Sequence, residues 1–147
     1  EGLGNLIAAH VKLQDYERAE AIIEVALKQP LSPENRSRVL NNLASVHWRR
    51  GENEKAAALN REALAIFEES YGSRHGEVVT TLSNLATVLD QQGNYAEAES
   101  LAQLSVSIGR EVLEALERQV LTVMVWLRAD WHAGKAVAAA LRVRFLV

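Results

Sequence analysis

The chain has 147 residues, of which 48% are hydrophobic and none is cysteine, and its formal net charge is −3. The absence of cysteine excludes disulfides, thiolate metal sites and a cysteine nucleophile. The mild charge gives no support for a general nucleic-acid or membrane-surface binder, and no apolar run approaches the roughly 20 residues that a membrane span needs.

Helical periodicity runs through the whole chain, because apolar residues recur at i, i+3, i+4 and i+7. Ser32 and Pro33 form a good helix start, since serine caps helices and proline suits the first turn. The five residues from Gly72 to Gly76 form a break between two helices. In chain order we expect helices near residues 3–13, 15–29, 33–50, 53–71, 76–92, 95–116, 119–132 and 135–146.

A segment of the chain repeats at an offset of 42 residues. Residues 40–44 (LNNLA) match residues 82–86 (LSNLA), and Gly51 falls on Gly93. A third copy lies upstream at an offset of 37 residues, where residues 3–6 match 40–43. Each unit is predicted to be a helix pair, with small residues where two helices approach closely: Ala19, Ala56 and Ala98. We expect units at about 1–31, 32–73, 74–115 and, in degenerate form, 116–147.

These features resemble the tetratricopeptide repeat family, in the Leu-x-x-Leu-Ala stretches, the glycine between paired helices, and Tyr16 and Tyr95. The 42-residue period and the Tyr-Gly-x-x-His linker resemble the longer variant of kinesin light chains, whose linker usually has proline where this chain has Gly76. The resemblance covers residues 3–113. It implies an all-α fold, a right-handed α-solenoid of antiparallel helix pairs, with a peptide-binding groove lined by the first helix of each pair.

The fourth unit departs from this pattern. Residues 120–127 still match the register of the third unit, but Glu114 replaces the linker glycine. The helix of the third unit running on unbroken is therefore an alternative to separate helices. Residues 136–147 are strongly apolar, so we expect them to pack on something. We favour further chain, in a protein of which this sequence is a fragment, over a dimer contact.

Asparagines occupy equivalent places on the first helices of three units, and polar residues lie on the same helix faces at spacings of three, four and seven. An asparagine amide offers donors and an acceptor, so it suits the backbone of an extended peptide. The family resembled implies such contacts; the alternative is a solvated or capping role. The predicted peptide-binding residues are Asn5, Lys12, Arg38, Asn42, Ser45, Arg49, Thr80, Asn84, Thr87, Gln91 and Trp126. Trp126 takes the asparagine place in the fourth unit, and we favour a core role for it beside Trp131.

Charge is unevenly distributed between the helices of each pair. The second helices hold most of the acidic residues, and the first helices hold basic ones: Lys12, Arg36, Arg38, Arg49 and Arg50. We therefore predict an acidic peptide or partner protein, the alternative being a solvated basic face. The full two-carboxylate clamp of chaperone-binding repeats is absent, because Thr80 stands in the third unit where the second has Arg38.

No catalytic, metal or cofactor motif is evident, so we predict a binding protein rather than an enzyme. His10 and His47 are repeat-equivalent on the packed face, which indicates a structural role. We do not expect nucleic acid, since the basic residues of 118–147 form no single stripe. Without a visible signal peptide we expect a cytoplasmic location. The alternative function is a structural or assembly subunit that docks or dimerises through the apolar segment 120–147.

Overall fold

A computed structural model describes the backbone of residues 2–144 and the side chains of residues 4, 6–7 and 9–125. In this part of the chain all regular structure is helical, and the predicted all-α fold is confirmed. The helices are α1 (Gly2–Lys12), α2 (Tyr16–Leu27), α3 (Pro33–Arg49), α4 (Asn53–Tyr71), α5 (Gly76–Gln91) and α6 (Tyr95–Arg144).

The chain divides into two compact units, Glu1–Arg110 and Glu111–Val147. In the first unit each helix packs on the next along the chain, from α1 to α5, and α1 also contacts α3. The start of α6 joins this unit, since the Ser105 hydroxyl donates to the Val79 carbonyl of α5 at 3.1 Å. Packing of neighbour on neighbour is the arrangement of a helical repeat array, an α-solenoid.

The turn inside each helix pair has the same geometry in three units. In each, the N–H of the turn residue donates to a carbonyl three residues back, and the next N–H donates to a carbonyl five residues back. The turn residues are Gln14, Gly51 and Gly93, with φ of 59°, 78° and 78°. Their spacings, from 14 to 51 and from 51 to 93, reproduce the offsets of 37 and 42 seen in the sequence.

Small residues lie where the paired helices meet. Ala19, Ala56 and Ala98 are 0%, 0% and 6% exposed, which confirms the predicted close approach. Two buried clusters form the core of the first unit. One centres on Ile7 and Ile23 of the first pair, and the other packs α4 alanines against Leu85 and neighbouring residues of α5.

The linker between α4 and α5 is held by an aromatic stack and a cap. The rings of Tyr71 and His75 lie 4.1 Å apart at an interplanar angle of 14°. His75 Nδ1 also accepts a hydrogen bond from the Glu77 backbone N–H at 3.2 Å, and so caps the start of α5. Gly72 ends α4, as the sequence predicted.

The fourth unit differs from the predicted helix map. Separate helices over 119–132 and 135–146 are wrong, because α6 continues from Tyr95 to Arg144. The alternative, a third-unit helix that runs on, agrees with this helix. Glu114 is a good helix former at the place where Gly72 ends α4, and Gly134 lies inside α6. Among the described residues, none of the helices combines the length and apolar character that a membrane span requires.

Candidate peptide-binding surface

The first helices of the second and third units lie side by side. Asn41 Nδ2 of α3 donates to Thr81 Oγ1 of α5 at 2.8 Å, and an Arg38 guanidinium nitrogen lies 2.9 Å from Glu77 Oε1. Because these contacts join α3 to α5, the predicted polar residues of the two helices lie on neighbouring helices of one surface. We call the surface formed by the predicted residues of α1, α3 and α5 the first-helix surface.

A cavity of about 170 Å³ opens between α3 and α5, and we call it the α3–α5 cavity. Three predicted residues line it: Ser45, Asn84 and Thr87. The Thr87 hydroxyl donates to the Ser83 carbonyl at 2.9 Å, so its oxygen still has room to accept. Ala44, Trp48, Asn60 and Val88 complete the lining.

Sequence reasoning missed Trp48 and Asn60. Asn60 is 2% exposed, and its Oδ1 has no hydrogen-bond partner among the described residues. The buried Nε1 of Trp48 likewise has no hydrogen-bond partner among the described residues. A signal for Asn60 existed, because it stands between Ala56 and Ala63 in the apolar stripe of α4, where a polar residue is out of place. Trp48 carried no comparable signal, since Asp90 is its equivalent in the third unit.

A second cavity, of about 380 Å³, lies between α1 and α3. It brings together two predicted residues, Arg38 and Asn42, with Gly4, Ile7, Leu31, Asn35 and Val39. Asn42 and Asn84 therefore line separate cavities, one at each junction between successive first helices. Both asparagines are half-buried.

The other predicted residues lie outside these two cavities. Lys12 and Gln91 are exposed at the ends of α1 and α5, and the exposed Thr80 donates its hydroxyl to the Gly76 carbonyl at 3.0 Å. The Arg49 guanidinium lies over the Trp48 ring, 4.9 Å from its centroid, in a cation–π contact. Asn5 and Trp126 lie outside the residues whose side chains are described. The binding role predicted for both, and the core role favoured for Trp126, therefore stay predictions.

Carboxylates pair with three of the five basic residues noted on the first helices. Arg38 pairs with Glu77, Arg36 lies 3.5 Å from Glu62, and Arg50 pairs with Glu20. Such partly exposed pairs contribute about 0–1 kcal/mol each to stability. Among the described residues neither Lys12 nor Arg49 makes an ion pair, so these two carry the uncompensated positive charge of the surface.

The two repeat-equivalent histidines differ in their contacts with the turn that follows them, since only His47 is hydrogen-bonded to it. His47 is 7% exposed, with Nδ1 3.0 Å from Glu52 Oε2, while Lys55 Nζ lies 2.6 Å from the same oxygen. The hydrogen bond from Lys55 is the main cause of a lowered pKa of Glu52. His10 Nδ1 and Asp15 Oδ2 are 3.4 Å apart without hydrogen-bond geometry.

In the described part of the chain, no three His, Asp or Glu side chains are grouped to hold a metal ion.

Comparison with known proteins places this geometry in a family. The family described as Tetratricopeptide repeat matches residues 35–111. Tetratricopeptide repeat protein 19, mitochondrial, of Homo sapiens is 36% identical over 58 residues, which are 40% of this chain and 15% of that protein. Its Rattus norvegicus counterpart is 34% identical over 58 residues, 40% of this chain and 16% of that protein. The matched segment thus spans about one-sixth of these curated relatives.

A solved structure, BtubC (BKLC) from P. vanneervenii, has a TM-score of 0.66 and 23% identity, over 75% of this chain and 45% of that one. This likeness is one of fold. It supports the predicted resemblance to the kinesin-light-chain variant only in part. The family match covers 77 of the 147 residues, and the three equivalent turns of the first unit make the same hydrogen bonds. This chain belongs to the tetratricopeptide repeat family.

Proposed function

We propose that this chain is an interaction module that binds an extended peptide, or a peptide segment of a partner protein, along the first-helix surface. Tetratricopeptide repeats generally mediate protein–protein interaction, and repeat arrays present extended binding surfaces. The observation that carries the proposal is the α3–α5 cavity, which gathers Ser45, Asn84 and Thr87 at one junction between first helices.

The two asparagines suit the backbone of such a peptide. Asn42 and Asn84 are half-buried and line successive cavities, so a chain laid across both junctions meets an amide at each. Each amide offers two donors and an acceptor, which complement the carbonyl and N–H of an extended backbone. Half-burial also limits competition from water.

Charge supports an acidic ligand. Lys12 and Arg49 are exposed, and the Arg38 side chain is 56% exposed while paired with Glu77. A ligand carboxylate near Arg38 competes with Glu77 for the guanidinium, so the electrostatic gain rests mainly on Lys12 and Arg49. Because such exposed charges are screened, we expect binding to weaken as salt rises.

A selection of random peptides displayed on phage tests the proposal. We expect the protein to enrich peptides rich in Asp and Glu. The double variant Asn42→Ala/Asn84→Ala should bind them about 30-fold more weakly, since about 1 kcal/mol of net hydrogen bonding is lost with each amide. Asn94→Ala is the control for binding, because Asn94 lies in the turn between α5 and α6 and lines neither cavity. Since the Asn94 amide donates to Glu97 at 2.7 Å, the helicity of this variant is compared as well.

Equal affinity of wild type and double variant, with helicity unchanged, would contradict the peptide-binding role of this surface. Tight binding of peptides without acidic enrichment would contradict the acidic preference alone.

A second candidate function is assembly through the segment 120–147, as a structural subunit or a homodimer. It is favoured by apolar side chains that stand more than half exposed in the described part of this segment: Val120 at 57%, Leu121 at 60%, Val123 at 54%, Met124 at 60% and Val125 at 68%. Large exposed apolar groups in one segment indicate an interaction site. Sedimentation at rising concentration should show self-association that Leu121→Glu/Val125→Glu removes, and a monomer at all concentrations would exclude the homodimer.

Proteins of this family are typically scaffolds rather than enzymes, and we propose a scaffold or adaptor role without catalysis for this chain as well.

We propose a cytoplasmic location. The relatives carry the word mitochondrial in their names. Imaging of the tagged protein in its source cell, beside a mitochondrial marker, decides between the two compartments.

A further inference from the structure

A third cavity, of about 570 Å³, opens on α5 and the start of α6, and we call it the α5–α6 cavity. Its lining includes Ser83 and Asp90 of α5 and Tyr95, Ala102 and Val106 of α6. The Tyr95 side chain is 67% exposed and the Val106 side chain 63%. Large exposed apolar groups around one cavity indicate an interaction site.

The equivalent surface one unit earlier is covered by a helix. Residues of the α5–α6 cavity stand 42 positions after residues of α3 and α4, so that Ser83 corresponds to Asn41. Asn41 Nδ2 donates to Thr81 Oγ1 at 2.8 Å, and Ala44 of α3 is buried in one cluster with Leu85 of α5. The α5–α6 cavity is therefore the surface of the third unit that corresponds to the one that α5 covers on the second unit.

A helical segment with the register of α5 follows further along the chain, over residues 120–131, and we call it the fourth-unit segment. Val120 and Met124 stand 42 positions after Val78 and Leu82. The two residues of α5 are 0% and 1% exposed, whereas Val120 and Met124 are 57% and 60% exposed. The fourth-unit segment therefore exposes apolar side chains at places where α5 is buried.

The sizes of the side chains suit the α5–α6 cavity to this segment. At the α3–α5 cavity the large residue is Trp48 of α3, and it lines the cavity together with Asn84 of α5. In the next unit Asp90 stands at the place of Trp48, and Trp126 stands at the place of Asn84. The cavity is accordingly larger, about 570 Å³ against 170 Å³, and the segment carries a large side chain to fill it. An indole N–H at this place has an acceptor in the Asp90 carboxylate.

The residues before the fourth-unit segment favour a second copy of the chain as its source. Between α4 and α5 the chain turns at Gly72, which ends one helix, and at His75, which caps the next. The corresponding residues 114–117, Glu-Ala-Leu-Glu, are good helix formers, and α6 continues through them. Docking of the segment on its own chain requires a turn that this sequence opposes, whereas a second copy supplies the segment as part of an unbroken helix.

We infer that the α5–α6 cavity binds the fourth-unit segment of a second copy of this chain. The inference rests on the second candidate function, self-association through 120–147, and names the surface that receives the segment. The exchange is reciprocal, which closes a dimer with twofold symmetry. This register brings Val123 and Trp126 to the cavity, and the apolar match ends at Asp130, which stands at the place of Val88.

Cross-linking of cysteine variants of the 147-residue chain tests the contact, because the chain has no cysteine of its own. Ser83 and Val123 correspond to Asn41 and Thr81, which are hydrogen-bonded. A tagged chain with Ser83→Cys and an untagged chain with Val123→Cys are mixed and treated with a short bismaleimide, and we expect a cross-linked heterodimer. Ser100→Cys in place of Ser83→Cys is the matched control and should give none, because Ser100 is an exposed serine of α6 outside the cavity.

Sedimentation tests whether the same cavity maintains the dimer. Ala102→Glu places a charge in the cavity and should abolish the self-association of the wild-type chain, while Ser100→Glu should preserve it. Ala102 is exposed and glutamate is a good helix former, so circular dichroism should show unchanged helicity. Trp126→Ala should raise the dissociation constant about 30-fold or more, the effect of removing a central aromatic anchor.

The outcomes separate this inference from the second candidate function. A monomer at all concentrations overturns both the inference and the homodimer. Self-association that Leu121→Glu/Val125→Glu removes and Ala102→Glu leaves intact overturns the inference alone, since the segment then associates through another face. A cross-link that forms only within single chains of the double variant Ser83→Cys/Val123→Cys overturns the second copy as the occupant.

Discussion

At the scale of single residues, one position in each helix pair determines where the chain turns back. Gln14, Gly51 and Gly93 all have positive φ and make the same pair of turn hydrogen bonds. Glycine occupies left-handed backbone conformations readily, whereas a side chain with a Cβ is strained there. The first turn therefore stores strain that the second and third turns avoid.

We expect Gln14→Gly to raise the free energy of unfolding by about 1 kcal/mol, because relief of the left-handed strain exceeds the entropy cost of a new glycine. Gly51→Ala should lower it by a similar amount for the opposite reason. Urea denaturation followed by circular dichroism measures both. Since a Cβ at Gly51 meets nothing within 4 Å, the effect isolates the backbone conformation. No change in either variant would contradict this role of the turn.

Glu52 gives stability a dependence on pH. Its folded pKa lies below the ordinary 4.5, first because of the hydrogen bond from Lys55, with burial opposing and His47 adding a smaller effect. A lowered carboxyl pKa stabilises the fold above the unfolded value, and this contribution is lost as pH falls through the folded pKa. Glu52→Gln should therefore reduce stability at pH 7, and the difference from wild type should shrink as pH falls below 4.5 and vanish once pH is below the folded pKa.

Urea denaturation from pH 7 to pH 3 measures this difference, with Glu54→Gln as the control, because Glu54 is an exposed residue two positions further along, in the first turn of α4. A wild-type advantage that persists unchanged at the acid end would show that the charge of Glu52 is not its source.

At the scale of helices, α3 and α5 occupy equivalent places but begin differently. Ser32 caps α3 and Pro33 follows it, while His75 caps α5 and Gly76 follows it. The backbone of His75, with φ of −130° and ψ of 150°, is in the extended region that a residue before proline prefers. The start of α5 is therefore already shaped for proline.

We expect Gly76→Pro to raise the free energy of unfolding by about 0.4–1 kcal/mol, since it restricts the unfolded chain and proline needs no N–H at the first helical position. Pro33→Gly, the reverse change at the equivalent place, should lower stability by a comparable amount. Thermal unfolding measures both. Destabilisation by Gly76→Pro would mean that the linker needs the freedom of glycine.

At the scale of the whole molecule, the buried clusters draw on residues of the first compact unit. The cluster around α4 and α5 ends at Ala98 and Leu101, and Ile108 is the last buried hydrophobic residue in the described part of α6. In a repeat array each unit is stabilised mainly by its immediate neighbours. The stability of residues 1–110 should therefore depend little on the segment beyond them.

We expect a chain truncated after Arg110 to have a free energy of unfolding within about 1 kcal/mol of that of the 147-residue chain, because no side chain of the two buried clusters is removed. If the second candidate function holds, the same truncation also abolishes self-association. Denaturation and sedimentation of both chains give the two readouts. A loss of several kcal/mol would show that the array relies on the second unit.

The sequence by itself determined the repeat. Periodicity, the turn glycines and the equivalent alanines are local patterns, and each acts through the few residues around it, so helix boundaries up to Gln91 and the burial of Ala56 were predictable. The helix break predicted after residue 116 was wrong, also for a local reason. The apolar pattern of the repeat continues past this point, but the glycine that would end the helix is absent, because Glu114 stands in its place.

Only the tertiary structure decided which polar groups meet. Ser45 and Asn84 were predicted from their places on separate helices, but their shared cavity also needs Trp48 and Asn60, which come from different helices and carry no common periodicity. The pairing of Arg38 with Glu77 across two units likewise altered the charge inferred from composition. Hydrogen bonds and ion pairs act over about 3 Å between residues distant in sequence, so their partners emerge only when the helices are packed.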